Sequence, residues 1–284
     1  MKRFFLFLSV LLLSAPLFAG TVVSDSIRSS KLNADVKYRV YLPDGFKDSK
    51  AHYPVVYLLH GLYGNSENWT EEGKAKDVAD ELILSGEAVP MVIIMPTAGD
   101  KDVHNVQNGY FNVEDWPYED FFFGELMPQL EKKFRCGGDK AHRAIMGLSM
   151  GGGGSVVYCQ RHPDMFSSCY AMSAWLDNRG DEVSSKSSTR DKLTIVCESV
   201  REHSALDFVE AADEATVGKL RSVKWFVDCG DDDWLLPLSE EFHQKMLQKK
   251  IPCEFRVRNG KHNWEYWRHA VRLALPFASR NFGR

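Results

Sequence analysis

The stretch AIMGLSMGGGG, residues 144–154, decides the fold. An apolar run leads into a Gly-x-Ser-x-Gly pentapeptide, which predicts a buried strand ending at Met146, a sharp turn and then a helix. Gly147 and Gly151 leave room for that turn, because a side chain there would collide with the neighbouring strand or helix. Ser149 would then project above the sheet, beside helix amides that suit a developing oxyanion.

The alternative interpretation of this stretch is a glycine-rich turn that happens to hold a serine. The rest of the chain provides the test. An acid and then a histidine should follow in that order, and a loop that supplies backbone donors should come before.

The composition is that of an ordinary globular enzyme-sized chain. Its 284 residues are 44% hydrophobic and 26% charged, which is enough for one large core. The net charge of −4 gives no argument for nucleic acid or an anionic membrane as a partner. Residues 20–284 are therefore expected to form one domain.

Residues 1–19 have the features of a secretory signal peptide. Lys2 and Arg3 precede an almost wholly apolar run, and the small residue Ala19 offers a cleavage site. The apolar run is too short for a membrane span with those flanks, and no cysteine follows it to carry a lipid. We expect a secreted or periplasmic protein with no membrane anchor after cleavage.

Six cysteines could form disulfides in an oxidising compartment, although several lie in apolar runs, where a buried free thiol is the commoner state. No pair has the Cys-x-x-Cys spacing of a zinc site. We therefore expect neither a metal nor an organic cofactor.

Strand and helix patterns alternate along the chain and predict an α/β fold, with a mostly parallel sheet and helices on both faces. Residues 21–30 and 34–42 are typical of two antiparallel strands, with Pro43-Asp44-Gly45 as the turn. Continuous apolar runs at 54–59 and 90–95 predict strands buried on both faces, and residues 142–147 are predicted to be the strand that leads into the serine motif. Further strands are predicted at 167–174, 222–229 and 253–257, and helices at 69–84, 118–134, 150–161, 193–220, 238–249 and 262–282, the last interrupted near Pro276.

His262 is the candidate base among nine histidines. It lies in NGKHNW, residues 259–264, directly after the last predicted strand, and such loops are where ligands meet an open α/β sheet. A lone histidine is more often a surface or helix-cap residue, but the position and order favour a base here. His269 is a competitor that lies within the helix rather than at its entry.

The candidate acid lies in DCGDDDW, residues 228–234, where four aspartates compete. Asp228 is expected in the strand, and Asp231 and Asp232 in the turn after Gly230. Asp233 would emerge beside the histidine loop and orient the base. A solvated turn explains at least two of the four.

An oxyanion hole needs two backbone donors. One is expected from the N–H of Met150, and the other from Leu62 in the loop HGLYG, residues 60–64. Each donor is typically worth about 2.7–4 kcal/mol of transition-state stabilisation. His60 is interpreted as a residue that braces this loop rather than as a base.

Together these segments, with YEDF at 118–121 and HNWEYW at 262–267, resemble the esterase-D-like α/β-hydrolases. Within them the chain is most similar to the feruloyl and acetyl-xylan esterases of carbohydrate esterase family one, over nearly the whole of residues 20–284. The resemblance implies Ser149 as nucleophile, His262 as base and Asp233 as acid, since the family's acid follows a Cys-Gly-x-x-Asp pattern. The chain departs from the family at Gly153-Gly154, where a bulkier residue is common, and in residues 180–190.

The predicted activity is hydrolysis of a carboxylic ester, with feruloyl or acetyl groups on plant cell-wall glycans as substrates that fit secretion. Tyr63, Trp116, Trp234 and Trp264 are candidate walls for an aromatic acyl group. The alternatives are a general short-chain esterase, an S-formylglutathione hydrolase, a mycolyltransferase-like acyltransferase, and a catalytically silent binding protein on the same fold.

Overall fold

A computed structural model describes residues 19–99, 108–179 and 192–283. The signal peptide predicted at 1–19 lies almost wholly outside the described residues, and so does the loop at 180–190. All nine candidate site residues named above lie inside them.

An eight-stranded sheet forms the centre of the protein, in the order β1-β2-β4-β3-β7-β8-β9-β10. Strand β2 runs antiparallel to both of its neighbours, and the remaining neighbouring pairs are parallel. The predicted α/β class with a mostly parallel sheet is therefore confirmed. The strands are β1 (Thr21–Arg28), β2 (Asp35–Leu42), β3 (Val55–Leu59), β4 (Val92–Pro96), β5 (Asn112–Val113), β6 (Trp116–Pro117), β7 (Arg143–Leu148), β8 (Ser168–Met172), β9 (Lys224–Gly230) and β10 (Cys253–Arg258), of which β5 and β6 form a separate hairpin.

Helices cover both faces of this sheet, and the chain between β6 and β7 carries one π-helical turn at Phe122–Leu126. The α-helices are α1 (Asn68–Glu71), α2 (Ala75–Leu84), α3 (Tyr118–Phe121), α4 (Met127–Phe134), α5 (Met150–Arg161), α6 (Lys192–Glu202), α7 (Ala205–Ala211), α8 (Glu214–Leu220), α9 (Leu236–Gln248) and α10 (Trp264–Asn281).

The sheet divides the core into two apolar layers, because successive strand side chains point to opposite faces. In β3, Val55, Tyr57 and Leu59 belong to the larger layer, whereas Val56 and Leu58 belong to the smaller one. All five are fully buried. This explains why the strand has a continuous apolar sequence rather than an alternating one.

Two local predictions are wrong. Residues 29–34 join β1 to β2, closed by a 2.9 Å hydrogen bond from Ser29 N–H to the Ala34 carbonyl, while the turn at Pro43 lies after β2. Helix α10 is not interrupted at Pro276. Leu275 and Phe277, on either side of that proline, are buried in the layer that packs on the sheet, so tertiary packing holds the helix continuous.

The cysteines contribute to the core as small apolar side chains. Cysteines that are free thiols are Cys136, Cys159, Cys169, Cys229 and Cys253. Cys197 is buried in the wall of the cavity described below. Within the described ranges, no helix has both the length and the apolar character needed to cross a membrane.

Candidate active site

Ser149 occupies the single residue between β7 and α5, with φ 53° and ψ −118°. A non-glycine residue at positive φ is strained, and such strain accumulates at functional sites. The turn is possible because its flanks are glycines. A Cβ atom at Gly147 would lie 2.4 Å from the Gly151 carbonyl oxygen, and one at Gly151 would lie 2.5 Å from that of His60.

Ser149, His262 and Asp233 form a continuous hydrogen-bonded row. His262 Nε2 lies 3.0 Å from Ser149 Oγ, and His262 Nδ1 lies 3.0 and 2.9 Å from the two carboxylate oxygens of Asp233. The strand order brings them together, since Ser149 follows β7, Asp233 follows β9 and His262 follows β10, all at the carboxyl edge of parallel strands. The arrangement lets a histidine remove the serine proton while a carboxylate holds its ring.

Asp233 is an ionised acceptor inside the protein. Its side chain is fully buried and accepts hydrogen bonds from His262 and from the Leu235 N–H at 2.9 Å, and the Ser173 hydroxyl also lowers its pKa. Burial by itself raises the pKa of this carboxyl, but these hydrogen bonds outweigh burial and lower the pKa below its ordinary value. Asp233 is therefore charged at neutral pH and able to stabilise a protonated His262.

Two tryptophan rings contact the His262 ring. The buried ring of Trp267 packs edge-on against it at a centroid distance of 4.9 Å, and Trp234 approaches the ring at 5.3 Å. Helix α10 starts just after His262, where the Asn263 side chain caps it by accepting from Tyr266 N–H at 3.1 Å. His262 thus lies directly before the capped N-terminus of α10, which fixes the position of its backbone.

The other three aspartates of the 228–234 segment do not contact His262. Asp228 lies in β9, as expected, where it is fully buried against Arg258 and two tyrosines. Asp231 and Asp232 follow the strand and are exposed; Asp231 accepts from Gly260 N–H at 2.9 Å. His269 is exposed on α10 and also lies away from the row, in the lining of another groove.

The loop after β3 lies against the serine turn. A Cβ atom at Gly61 would lie 3.5 Å from Ser149 Cβ. Gly61 and Gly64 close a β-turn through a 3.0 Å hydrogen bond, which leaves the Leu62 N–H out of the turn's own bond. Met150 is the first residue of α5, so its N–H has no intrahelical acceptor. Leu62 thus lines the same cavity as Ser149, and Met150 follows Ser149 directly, while their role as oxyanion donors stays a prediction.

His60 is a neutral brace for this loop. Its Nε2 accepts from Ala98 N–H at 3.0 Å, and its Nδ1 therefore donates to the Gly61 carbonyl at 2.7 Å. Full burial lowers the pKa of His60 to about 4, so it stays uncharged at neutral pH.

Above the row lies an open cavity of about 560 Å³. Of the four aromatic residues predicted to line it, Tyr63, Trp234 and Trp264 do so. The prediction for Trp116 is wrong: it is 6% exposed, packs in the core and donates its indole N–H to the Ala98 carbonyl at 3.0 Å. Trp116 is not among the residues that line the cavity.

Sequence reasoning missed several residues of this site. The cavity also takes side chains from the loop after β8, from α6 and from α10, namely Trp175, Asn178, Leu193, Cys197 and Trp267. For two of them, the position in the sequence indicated a place near the site. Trp175 comes three residues after a parallel strand, and Trp267 lies three residues after Trp264 on one helix face. Nothing in the local sequence around Leu193 and Cys197 indicates that α6 contributes to the cavity.

The departure at Gly153-Gly154 has a structural reason. A Cβ atom at Gly153 would lie 2.1 Å from the Trp175 carbonyl oxygen, and one at Gly154 would lie 2.9 Å from the Tyr110 ring. The Trp175 N–H also donates to the Ser149 carbonyl at 2.9 Å. The glycines therefore let the loop after β8 approach the serine turn closely, which places Trp175 in the cavity wall.

A serine on a strained strand-to-helix turn, with a histidine and a buried carboxylate in order on an α/β sheet, defines the serine hydrolases of the α/β-hydrolase class. The family described as "Putative esterase" matches residues 29–278 of the chain. The protein belongs to that esterase family and is a carboxylic-ester hydrolase, as the motifs predicted.

Two curated relatives agree with this family. An endo-1,4-beta-xylanase/feruloyl esterase of Xylanibacter ruminicola is 37% identical over 131 residues, which are 45% of this chain and 18% of that protein. An esterase of Mycobacterium tuberculosis is 30% identical over 143 residues, 50% of this chain and 30% of that protein. The chain thus covers less than a third of the length of these relatives.

Solved structures match over almost the whole chain. A ferulic acid esterase is 47% identical, with a TM-score of 0.87 over 93% of this chain and 100% of that one. An S-formylglutathione hydrolase from Agrobacterium tumefaciens is 20% identical, with a TM-score of 0.73 over 94% of this chain and 97% of that one, and shares the fold. The resemblance to feruloyl esterases predicted from the motifs is confirmed.

Proposed function

We propose that the protein removes hydroxycinnamoyl groups of the feruloyl type, or acetyl groups, from plant cell-wall polysaccharide or its fragments, through an acyl-enzyme on Ser149. The hydrogen-bonded row of Ser149, His262 and Asp233 on the floor of an aromatic cavity carries this proposal. The 47% identity to a ferulic acid esterase over 93% of the chain supports the choice of acyl group.

The proposed reaction has two halves. His262 Nε2 takes the Ser149 proton as Oγ attacks the ester carbonyl, and the Leu62 and Met150 amides hold the oxyanion. His262 then donates that proton to the departing alcohol oxygen. In the second half, His262 takes a proton from water as the water oxygen attacks the acyl-enzyme carbonyl. His262 then gives that proton to Ser149 Oγ as the acyl bond breaks and the carboxylic acid is released.

The cavity suits a planar aromatic acid. Its volume of about 560 Å³ lies within the range of about 300–1,000 Å³ typical of small-molecule sites. Trp175 and Trp264 are half-buried in its wall and offer flat apolar surfaces beside Ser149. These side chains favour a hydroxycinnamoyl group over a formyl group, which needs no such wall.

We also propose that the protein acts outside the cytoplasm. The basic start, apolar run and Ala19 of the first nineteen residues support export. Export also argues against an S-formylglutathione hydrolase, because glutathione thioesters belong inside the cell. N-terminal sequencing of protein recovered from the periplasm or medium tests this; a first residue at Gly20 is expected, and an intact Met1 would contradict it.

Replacement of the nucleophile tests the activity itself. Ser149→Ala should abolish hydrolysis of p-nitrophenyl acetate and of methyl ferulate, because no other group can form the acyl-enzyme. His262→Ala should lose activity by about 10³-fold or more, whereas the matched control His269→Ala should remain near wild type. Retained activity in Ser149→Ala would overturn the assignment.

A substrate panel tests the acyl group. Purified protein is compared on methyl ferulate, acetylated xylan, tributyrin and S-formylglutathione at equal enzyme concentration. The highest kcat/KM is expected on methyl ferulate. A clear preference for S-formylglutathione would replace the cell-wall proposal with the thioesterase alternative, and a preference for tributyrin would leave a general short-chain esterase.

A further inference from the structure

We propose that the exposed indole of Trp234 is the subsite for the alcohol half of the substrate, and that a sugar ring stacks on it. This inference rests on the proposed function, since it takes the leaving alcohol to be a sugar. It assigns Trp175 and Trp264 to the acyl half of the substrate and Trp234 to the alcohol half.

Trp234 differs from every other tryptophan of the chain. It is 67% exposed, whereas the remaining six are buried or half-buried. Single exposed apolar side chains are common on protein surfaces and need no explanation by themselves. This one, however, lies at the mouth of the cavity next to a catalytic histidine.

The backbone holds Trp234 in place on both sides. Asp233 N–H donates to the Gly230 carbonyl at 3.3 Å, and Leu236 N–H donates to the Asp233 carbonyl at 3.0 Å. The neighbour Leu235 is buried, with its N–H on the Asp233 carboxylate. The indole is therefore presented from an anchored segment, so little conformational entropy is lost when a ring packs on it.

The chemistry places the alcohol near Trp234. His262 Nε2 must protonate the leaving alcohol, so the alcohol oxygen must come within hydrogen-bond reach of that atom. The Trp234 ring lies 5.3 Å from the His262 ring, with the planes inclined by 49°. Trp267 also contacts His262 and lines the cavity, but it is buried, whereas Trp234 is exposed. The exposed aromatic ring next to His262 is thus that of Trp234.

The acyl half has its own walls. Trp175 is tied to the serine turn through its N–H, and Trp264 packs edge-on against Trp69 and Trp267 deeper in the site. A polysaccharide cannot enter a cavity of about 560 Å³ and must cross its rim. An exposed indole at the rim matches the apolar C–H face of a sugar ring, while the sugar hydroxyls stay in water.

The test compares two esters of one acid that differ only in the alcohol, a feruloylated arabinoxylan trisaccharide and methyl ferulate. The quantity measured is the ratio of their kcat/KM values. Trp234→Ala should lower this ratio about five- to tenfold. The lost contact with His262 acts on both esters and cancels in the ratio, whereas only the sugar ester loses a stacking partner. Trp234→Phe should keep most of the ratio, and Trp234→Leu should lose it, since stacking needs a flat aromatic face.

Tyr63→Ala is the matched control. Tyr63 is an aromatic side chain that is 54% exposed at the same rim but on the turn that carries Leu62, so its loss should change both esters by a similar factor. An unchanged ratio in Trp234→Ala, or an equal fall of the ratio in Tyr63→Ala, would overturn the subsite.

The proposed acyl group can fail separately from the subsite. If the wild type does not hydrolyse either feruloyl ester, the same ratio is taken with acetylated xylotriose and ethyl acetate. A fall of that ratio in Trp234→Ala supports the sugar subsite on an acetyl esterase, and an unchanged ratio overturns it.

Discussion

Two buried aspartates, Asp228 and Asp233, lie five residues apart and have opposite surroundings. Asp228 is enclosed in β9, where Arg258 Nη2 donates to it at 2.6 Å and the hydroxyls of Tyr170 and Tyr266 complete its hydrogen bonds. Asp233 follows the strand and accepts hydrogen bonds from His262 and from the backbone amide of Leu235. Asp228, which ties β9 to β10, is therefore paired with a permanently charged arginine. Asp233, at the cavity, is paired with a histidine that can gain and lose a proton.

The difference separates stability from catalysis within one short segment. Arg258 ends β10 and Tyr266 lies on α10, so Asp228 fastens both ends of the loop that carries His262. Asp233 meets the histidine itself. One carboxylate fixes where the loop lies, and the other fixes how the ring is oriented.

Asp233→Asn should have the largest effect on activity. An amide at this position can donate to His262 Nδ1 and so favours the tautomer that carries its proton on Nε2, facing Ser149. The expected fall in kcat is about 10³–10⁴-fold. The melting temperature should also fall at neutral pH, because the stabilisation by the ionised carboxylate is lost. Kinetics on p-nitrophenyl acetate, with thermal unfolding of the same samples, measure both.

Asp231→Asn and Asp232→Asn are the controls for this change, because both side chains are exposed and do not contact His262. They should retain nearly wild-type kcat. A larger loss in either control than in Asp233→Asn would move the acid to that residue.

Asp228→Asn should act on stability instead. It leaves the Arg258 guanidinium partly buried without its counter-charge, which should cost about 2–3 kcal/mol of unfolding free energy, less than a fully buried pair because Arg258 is partly exposed. Urea denaturation measures this loss. The folded fraction should keep far more kcat than Asp233→Asn does, and equal losses of kcat would remove the distinction between the two aspartates.

Ser173→Ala should have a smaller effect that depends on pH. The fully buried Ser173 hydroxyl helps to lower the pKa of Asp233 and accepts the Trp267 indole N–H at 3.1 Å. Its loss should cost about 1–3 kcal/mol of unfolding free energy at neutral pH and should reduce kcat through a less firmly held His262. The part of this loss that belongs to the ionised carboxylate should shrink as pH falls.

The sign follows from the lowered pKa of Asp233. Such a group stabilises the fold above its unfolded pKa, about 3.8, and that stabilisation disappears as pH falls through the folded value. Denaturation of Ser173→Ala between pH 7 and pH 3 measures it. Ser239→Ala, also fully buried in this region, is the matched control and should show a pH-independent loss. A Ser173→Ala loss that is equally flat would contradict the link to Asp233.

The sequence was sufficient to predict the sheet and the positions of the reacting groups. Ser149, Asp233 and His262 each follow a strand with a strong apolar pattern, and parallel topology brings such positions to one edge. Asp233 was chosen among the four aspartates because of its distance along the chain from the end of the predicted strand. The continuous helix at Pro276 could not be predicted, because packing on the sheet overrides a local helix breaker.

The walls of the cavity were the least predictable part. Trp116 begins the two-residue strand β6 and Trp175 lies in the loop after β8, and nothing in their local sequence distinguishes the one that bonds to the Ala98 carbonyl from the one that lines the cavity. Ser173 was invisible for the same reason, since its role depends on Asp233 and Trp267, which are distant in the chain. Contacts of this kind are set by tertiary structure alone.

The close approach at Gly151 and Gly153 has an evolutionary consequence. At both positions the backbone of the site is pressed against a neighbouring backbone segment, and a single added methyl group would collide with the His60 carbonyl or with the Trp175 carbonyl. Descendants of this chain can therefore gain new ester preferences only through side chains that stand free at the mouth, such as Trp234, while the floor is inherited unchanged. Directed evolution of a different specificity should begin with libraries at the mouth and leave both glycines fixed.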